Sequence, residues 1–99
     1  AFHSPFMEPA QTEFAEAVER MPFRAPRCPV YQNVDARPTT DPASIKANLI
    51  AQLTSPVRWT QSIERMGNDG ATEFTECGPG KVLQGLIRKI SPSSTVSGI

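Results

Sequence analysis

Helical and extended patterns alternate along this chain, which predicts an α/β fold of short parallel strands joined by crossover helices. Two further observations agree. Ten prolines and six glycines punctuate the 99 residues, so patterned segments are short and their ends are marked. The helices also carry more apolar surface than two or three short strands could cover. The remainder of the sheet is therefore expected from elsewhere. The chain opens at Ala1-Phe2-His3 without an initiator Met, and it reads as a piece of something longer.

The elements follow in order. Residues 8–21 read as a helix: Ala10, Phe14, Ala17, Val18 and Met21 make an apolar face, Pro9 is tolerated in a first turn and Pro22 ends it. Val30 to Val34 reads as a short strand, and Asp35 to Thr40 as a loop. Asp41-Pro42 has the form of an N-cap with proline in the first helical position, and Ile45, Leu49 and Leu53 repeat every fourth residue, giving a helix over 42–53. Ser55-Pro56 repeats that pattern ahead of Trp59, Ile63 and Met66, giving a helix over 56–66 that Asn68-Asp69-Gly70 stops. Thr72 to Cys77 alternates weakly as a strand, and Gly78-Pro79-Gly80 is a tight turn. Residues 81–90 form a helix with Val82, Leu83, Leu86, Ile87 and Ile90 apolar, and Thr95-Val96-Ser97 is a last short strand.

Composition removes several functions. Ten Lys and Arg balance ten Asp and Glu, which leaves no basic stripe for nucleic acid and no polybasic membrane anchor. No apolar run approaches a membrane span, and no signal peptide is visible, so a cytoplasmic setting is expected, with a eukaryotic organelle as an alternative. Cys28 and Cys77 lack C-x-x-C spacing and read as reduced thiols behaving as small core residues, although one disulfide is open to them. His3 with two distant cysteines has no metal-ligand spacing.

His3 is the single histidine. It sits just before a helix, where open α/β folds place reactive groups, and a neutral imidazole suits general base work. A base needs a nucleophile, and the chain has no G-x-S-x-G; Ser4 adjoins His3, which is poor geometry for a pair. Gly78-Pro79-Gly80-Lys81 precedes a helix but lacks the Ser or Thr of a phosphate loop, since Val82 follows the lysine. Asp69, Glu73 and Glu76 read as solvated or turn-pairing carboxylates, and the scattered aromatics as core.

Three blocks then carry a resemblance. Ala1-Phe2-His3-Ser4-Pro5-Phe6-Met7-Glu8-Pro9-Ala10 resembles the active-site histidine motif of the malonyl-CoA:acyl-carrier-protein transacylase family of acyltransferases. Gln52-Leu53-Thr54-Ser55-Pro56-Val57-Arg58-Trp59 resembles its Q-L-x-x-P-V-x-W motif, and Glu76 to Leu86 its E-x-G-P-G-K-V-L-x-G-L segment. Asn33-Val34 fits the family's strand end. Phe6 stands where Leu is common, and Cys77 falls at a variable position.

The resemblance implies that residues 1–99 are the C-terminal segment of an α/β-hydrolase-like large subdomain, without the nucleophile serine and the ferredoxin-like insert. It implies ping-pong transfer of malonyl from coenzyme A to the phosphopantetheine thiol of acyl carrier protein, with no cofactor, in fatty-acid or polyketide synthesis. His3 would be the general base and Gln52 would orient it through its main-chain carbonyl, so loss of the Gln52 side chain should hurt less than loss of His3. Phe2 would favour malonyl by filling the space an α-methyl needs. Arg58 is at a variable position and does not inherit the role of the family's carboxylate-binding arginine, which lies upstream. The implied partners are malonyl-CoA, acyl carrier protein and the missing N-terminal part, with no nucleic acid or membrane. The chain alone is expected to be inactive. The alternative is a non-catalytic scaffold that retains the fold.

Overall fold

The structure, a computed structural model, describes residues 8–99. Phe2 and His3 lie outside the described residues. The chain divides into two compact units, one up to Ser62 and one from Ile63 to Ile99.

In the first unit, α1 (Glu8–Glu19) packs on α2 (Pro42–Ala51) and on the single 3₁₀ turn that follows it (Gln52–Thr54). The inward stripe of α1 is Gln11, Phe14, Ala15 and Val18, and Val18 is buried. This corrects the expected face: Ala10, Ala17 and Met21 are exposed, because the inward stripe includes a polar residue, Gln11. Lys46 of α2 donates its Nζ to the Glu19 carbonyl at 3.3 Å and lies over the Phe23 ring, so a cation meets the negative end of α1.

The start of α2 follows the sequence expectation. Asp41 is extended, Pro42 opens the helix, and Asp41 Oδ2 accepts from the Ser44 N–H at 3.2 Å and from Ser44 Oγ at 2.7 Å. These bonds, the hydroxyl's first, hold the Asp41 carboxyl below its ordinary range. Their stabilisation is present above that range and is lost as pH falls through the lowered value.

Two expectations for this unit are corrected. The strand over 30–34 is only β1 (Val30–Tyr31), and it pairs antiparallel with β2 (Pro38–Thr39) inside the expected loop. The chain reverses through Ala36, which adopts φ 56°, with its N–H on the Gln32 carbonyl at 3.0 Å. Pro38 has no N–H to extend the ladder. The helix expected over 56–66 is α3 (Trp59–Asn68). Ser55 does not cap it; its Oγ donates backward to the Ala51 carbonyl at 2.8 Å, and its backbone is extended, as a residue before proline prefers. The boundary between the units falls within α3.

The second unit is a strand–helix–strand crossover. β3 (Glu73–Glu76) and β4 (Thr95–Gly98) pair in parallel, with Phe74 opposite Val96, and α4 (Val82–Ile90) packs on both. The expected parallel strands with a crossover helix are found here. Gln84 and Ile87 are buried, while Val82 is 75% exposed and Leu83 and Leu86 stand open.

Cys28 and Cys77 are free thiols, but both are exposed, not core residues. No helix among the described residues is long and apolar enough to cross a membrane.

The end of α3 is closed by hydrogen bonds that only a left-handed residue permits. Ala71 N–H reaches the Met66 carbonyl at 2.9 Å and Gly70 N–H reaches Gly67 at 3.1 Å, with Gly70 at φ 110°. A β-carbon at Gly70 would touch nothing within 4 Å, so only backbone strain opposes it. Gly70→Ala is expected to cost about 1–2 kcal/mol in urea unfolding. Gly67→Ala, inside the helix and equally uncrowded, is expected to be neutral or to stabilise by about 0.5–1 kcal/mol.

Candidate functional site

The last carbonyls of any helix lack partners within it, so the end of α2 is a cluster of acceptors. Here other residues take them one by one. The Ile50 carbonyl accepts the Gln11 Nε2 amide at 2.9 Å. The Ala51 carbonyl accepts Ser55 Oγ at 2.8 Å and Thr54 Oγ1 at 3.4 Å. The Gln52 carbonyl accepts the Ser55 N–H at 3.4 Å, a long bond.

Gln52 itself is half-buried and helical, with φ −64° and ψ −23°, and its N–H is bonded to the Asn48 carbonyl. The carbonyl is thus held by backbone on both sides, and its direction does not depend on the Gln52 side chain. Such an oxygen can accept a further N–H without bringing a charge into the site.

A polar network anchors α2 behind this end. Gln32 is buried, donates Nε2 to the Ile45 carbonyl at 3.0 Å and accepts Asn48 Nδ2 at 3.1 Å. Asn48 also donates to Asp35 Oδ2 at 3.2 Å, and Asp35 Oδ1 accepts the Arg37 N–H. The Asn33 carbonyl accepts the Arg58 N–H at 3.0 Å, tying the end of β1 to the approach to α3. The strand end and the Gln52 segment, noted separately in the sequence, are therefore joined by hydrogen bonds. Gln11, Gln32 and Asn48 carried no motif signal. A polar residue at inward helical spacing is the one pattern that points to Gln11.

The glycine turn of the second unit has a different role. Gly78 and Gly80 take φ 122° and 86°, which turns the chain tightly from β3 into α4. The Glu76 carboxylate accepts the N–H groups of Leu83 at 3.3 Å and Gln84 at 3.4 Å. An anion thus already sits at the helix start, favoured by the helix dipole. A phosphate there would meet a fixed negative charge, which supports the turn reading over the phosphate-loop reading. No group of three or more His, Cys, Asp or Glu among the described residues could hold a metal ion.

No protein-family model matches the chain. Curated relatives do. The malonyl CoA-acyl carrier protein transacylase of Salmonella typhimurium is 40% identical over 97 residues, which is 98% of this chain and 31% of that protein. The Synechocystis transacylase is 39% identical over all 99 residues, 34% of its length. Its crystal structure superposes with a TM-score of 0.96 across 100% of this chain and 34% of that one. A malonyl-transacylase solved in complex with a type II polyketide acyl-carrier protein superposes with a TM-score of 0.91 at 34% identity, over 98% of this chain and 31% of that one. The chain spans about a third of the length of the relatives it matches.

Glu76→Ala is expected to leave two helix-start N–H groups without their acceptor and to lower stability by about 1 kcal/mol in urea unfolding. Calorimetric titration of the parent chain with ATP or inorganic phosphate is expected to show no saturable binding.

Proposed function

The chain is a homologue, along its whole length, of the C-terminal third of malonyl-CoA acyl-carrier-protein transacylases, and from that premise we propose that it supplies the base-bearing part of such an enzyme. The observation that carries the proposal is identity near 40% across essentially all of the chain. The histidine, Q-L-x-x-P-V-x-W and G-P-G-K segments stand in family order within it.

The reaction is malonyl transfer in two half-reactions. In the first, His3 takes the proton of a serine supplied by the remaining two thirds of the enzyme. The serine oxygen attacks the thioester carbonyl of malonyl-CoA, the carbon–sulfur bond breaks, and coenzyme A leaves as the thiol with the proton from His3. In the second, the phosphopantetheine thiol of acyl carrier protein gives its proton to His3 and attacks the acyl-serine. The serine regains its proton and malonyl leaves on the carrier. No cofactor is required.

Gln52 enters through its carbonyl, which accepts one ring N–H of His3 and leaves the other nitrogen available as the base. This is supported by the backbone bonds that orient the Gln52 carbonyl. Phe2 closes the space beside the malonyl α-carbon. Acyl carrier protein is the acceptor, in keeping with the relative solved with its carrier. The bacterial relatives support a cytoplasmic setting.

The test is a complete transacylase with this chain as its C-terminal third, assayed for malonyl transfer from malonyl-CoA to acyl carrier protein. His3→Ala is expected to lower turnover by at least about a thousandfold with little change in unfolding midpoint. Near-normal turnover would remove His3 from the mechanism. Phe2→Ser is expected to raise the methylmalonyl-to-malonyl ratio of kcat/KM by about 10-fold or more; an unchanged ratio would remove Phe2 from selection.

A further inference from the structure

We propose that Gln11 is a positioning residue for the catalytic base, fixing the separation between the segment that bears His3 and the turn that bears the Gln52 carbonyl. The proposal deepens the reading above and rests on it. Two observations carry it.

The first is where the Gln11 amide bonds. One Nε2 donates to the Ile50 carbonyl at 2.9 Å and to Thr54 Oγ1 at 3.3 Å. Those acceptors stand two residues before and two residues after Gln52. A single planar amide therefore straddles the residue whose carbonyl orients the base. Both acceptors belong to a helix end, where a carbonyl left without a partner would be free to turn toward water.

The second is where Gln11 sits. It lies in the first turns of α1, eight positions after His3 in the sequence. At its far end α1 is tied to α2 by the Lys46 bond to the Glu19 carbonyl, and the apolar residues of its inward stripe, Phe14 and Val18, make dispersion contacts that are not directional. The two Gln11 bonds are directional. They act at the start of α1, where they limit its sliding along α2. A shift of about 1 Å in a base can cost on the order of 100-fold in rate.

The experiment uses the Synechocystis transacylase with its C-terminal third replaced by this chain. Gln11→Met keeps the length and bulk of the side chain and removes the donor; Gln11→Lys restores an N–H donor. Gln11→Met is expected to lower kcat roughly 10- to 100-fold with little change in KM for malonyl-CoA. The acid limb of its kcat/KM profile should move to lower pH, because an imidazolium that loses a carbonyl acceptor is less stabilised. Gln11→Lys should recover most of the rate. A lower unfolding midpoint with kcat and the acid limb unchanged would overturn the proposal and leave Gln11 a structural clamp. His3→Ala separates the two levels. If His3→Ala is inactive while Gln11→Met matches the parent, only the positioning role falls. If His3→Ala stays active, the base reading falls and the positioning role with it.

Discussion

Helix ends must find partners for their unpaired backbone groups, and at three of the described helix ends side chains from neighbouring elements supply them. Gln11 of α1 bonds the end of α2, Lys46 of α2 bonds the end of α1, and Glu76 of β3 bonds the start of α4. Dispersion contacts are not directional. The directional bonds at the helix ends set where each helix stops.

In the proposed mechanism that constraint has a chemical use. A histidine acting as a base needs one ring nitrogen held by an acceptor and the other left available. A carboxylate acceptor would bring a buried charge that itself needs compensation. A carbonyl at a helix end is already fixed by the helix behind it and sits at the negative end of its dipole. The Gln52 segment meets those terms: helical backbone, an N–H bonded to Asn48, and a polar network of Gln32, Asn48 and Asp35 holding α2 in place.

Much of this architecture was legible in the residues because local rules dominate it. Asp41-Pro42 marks a helix start that the structure repeats, and Gly70 marks a stop whose positive φ only glycine takes cheaply. The turn at Gly78-Pro79-Gly80 and the parallel pairing of β3 with β4 follow the same kind of signal. What was not legible depends on partners distant in sequence. Ser55-Pro56 has the form of a cap, yet Ser55 bonds backward to Ala51. β1 and β2 are two residues each and pair through a turn at Ala36, which no propensity singles out. Gln11 takes an inward position that periodicity assigns to apolar residues, because the acceptors it serves lie on another helix. On α4 the apolar residues Val82, Leu83 and Leu86 face away from the sheet of their own unit, a choice that periodicity alone cannot make.

In the proposed mechanism the end of α2 presents the Gln52 carbonyl to the imidazole of His3. A crystal structure of a complete transacylase carrying this chain would test it most directly. A ring nitrogen of His3 is expected within about 3.2 Å of the Gln52 carbonyl oxygen, with the other nitrogen turned toward the nucleophilic serine. A ring held by a carboxylate, or a Gln52 carbonyl turned away from it, would overturn that arrangement.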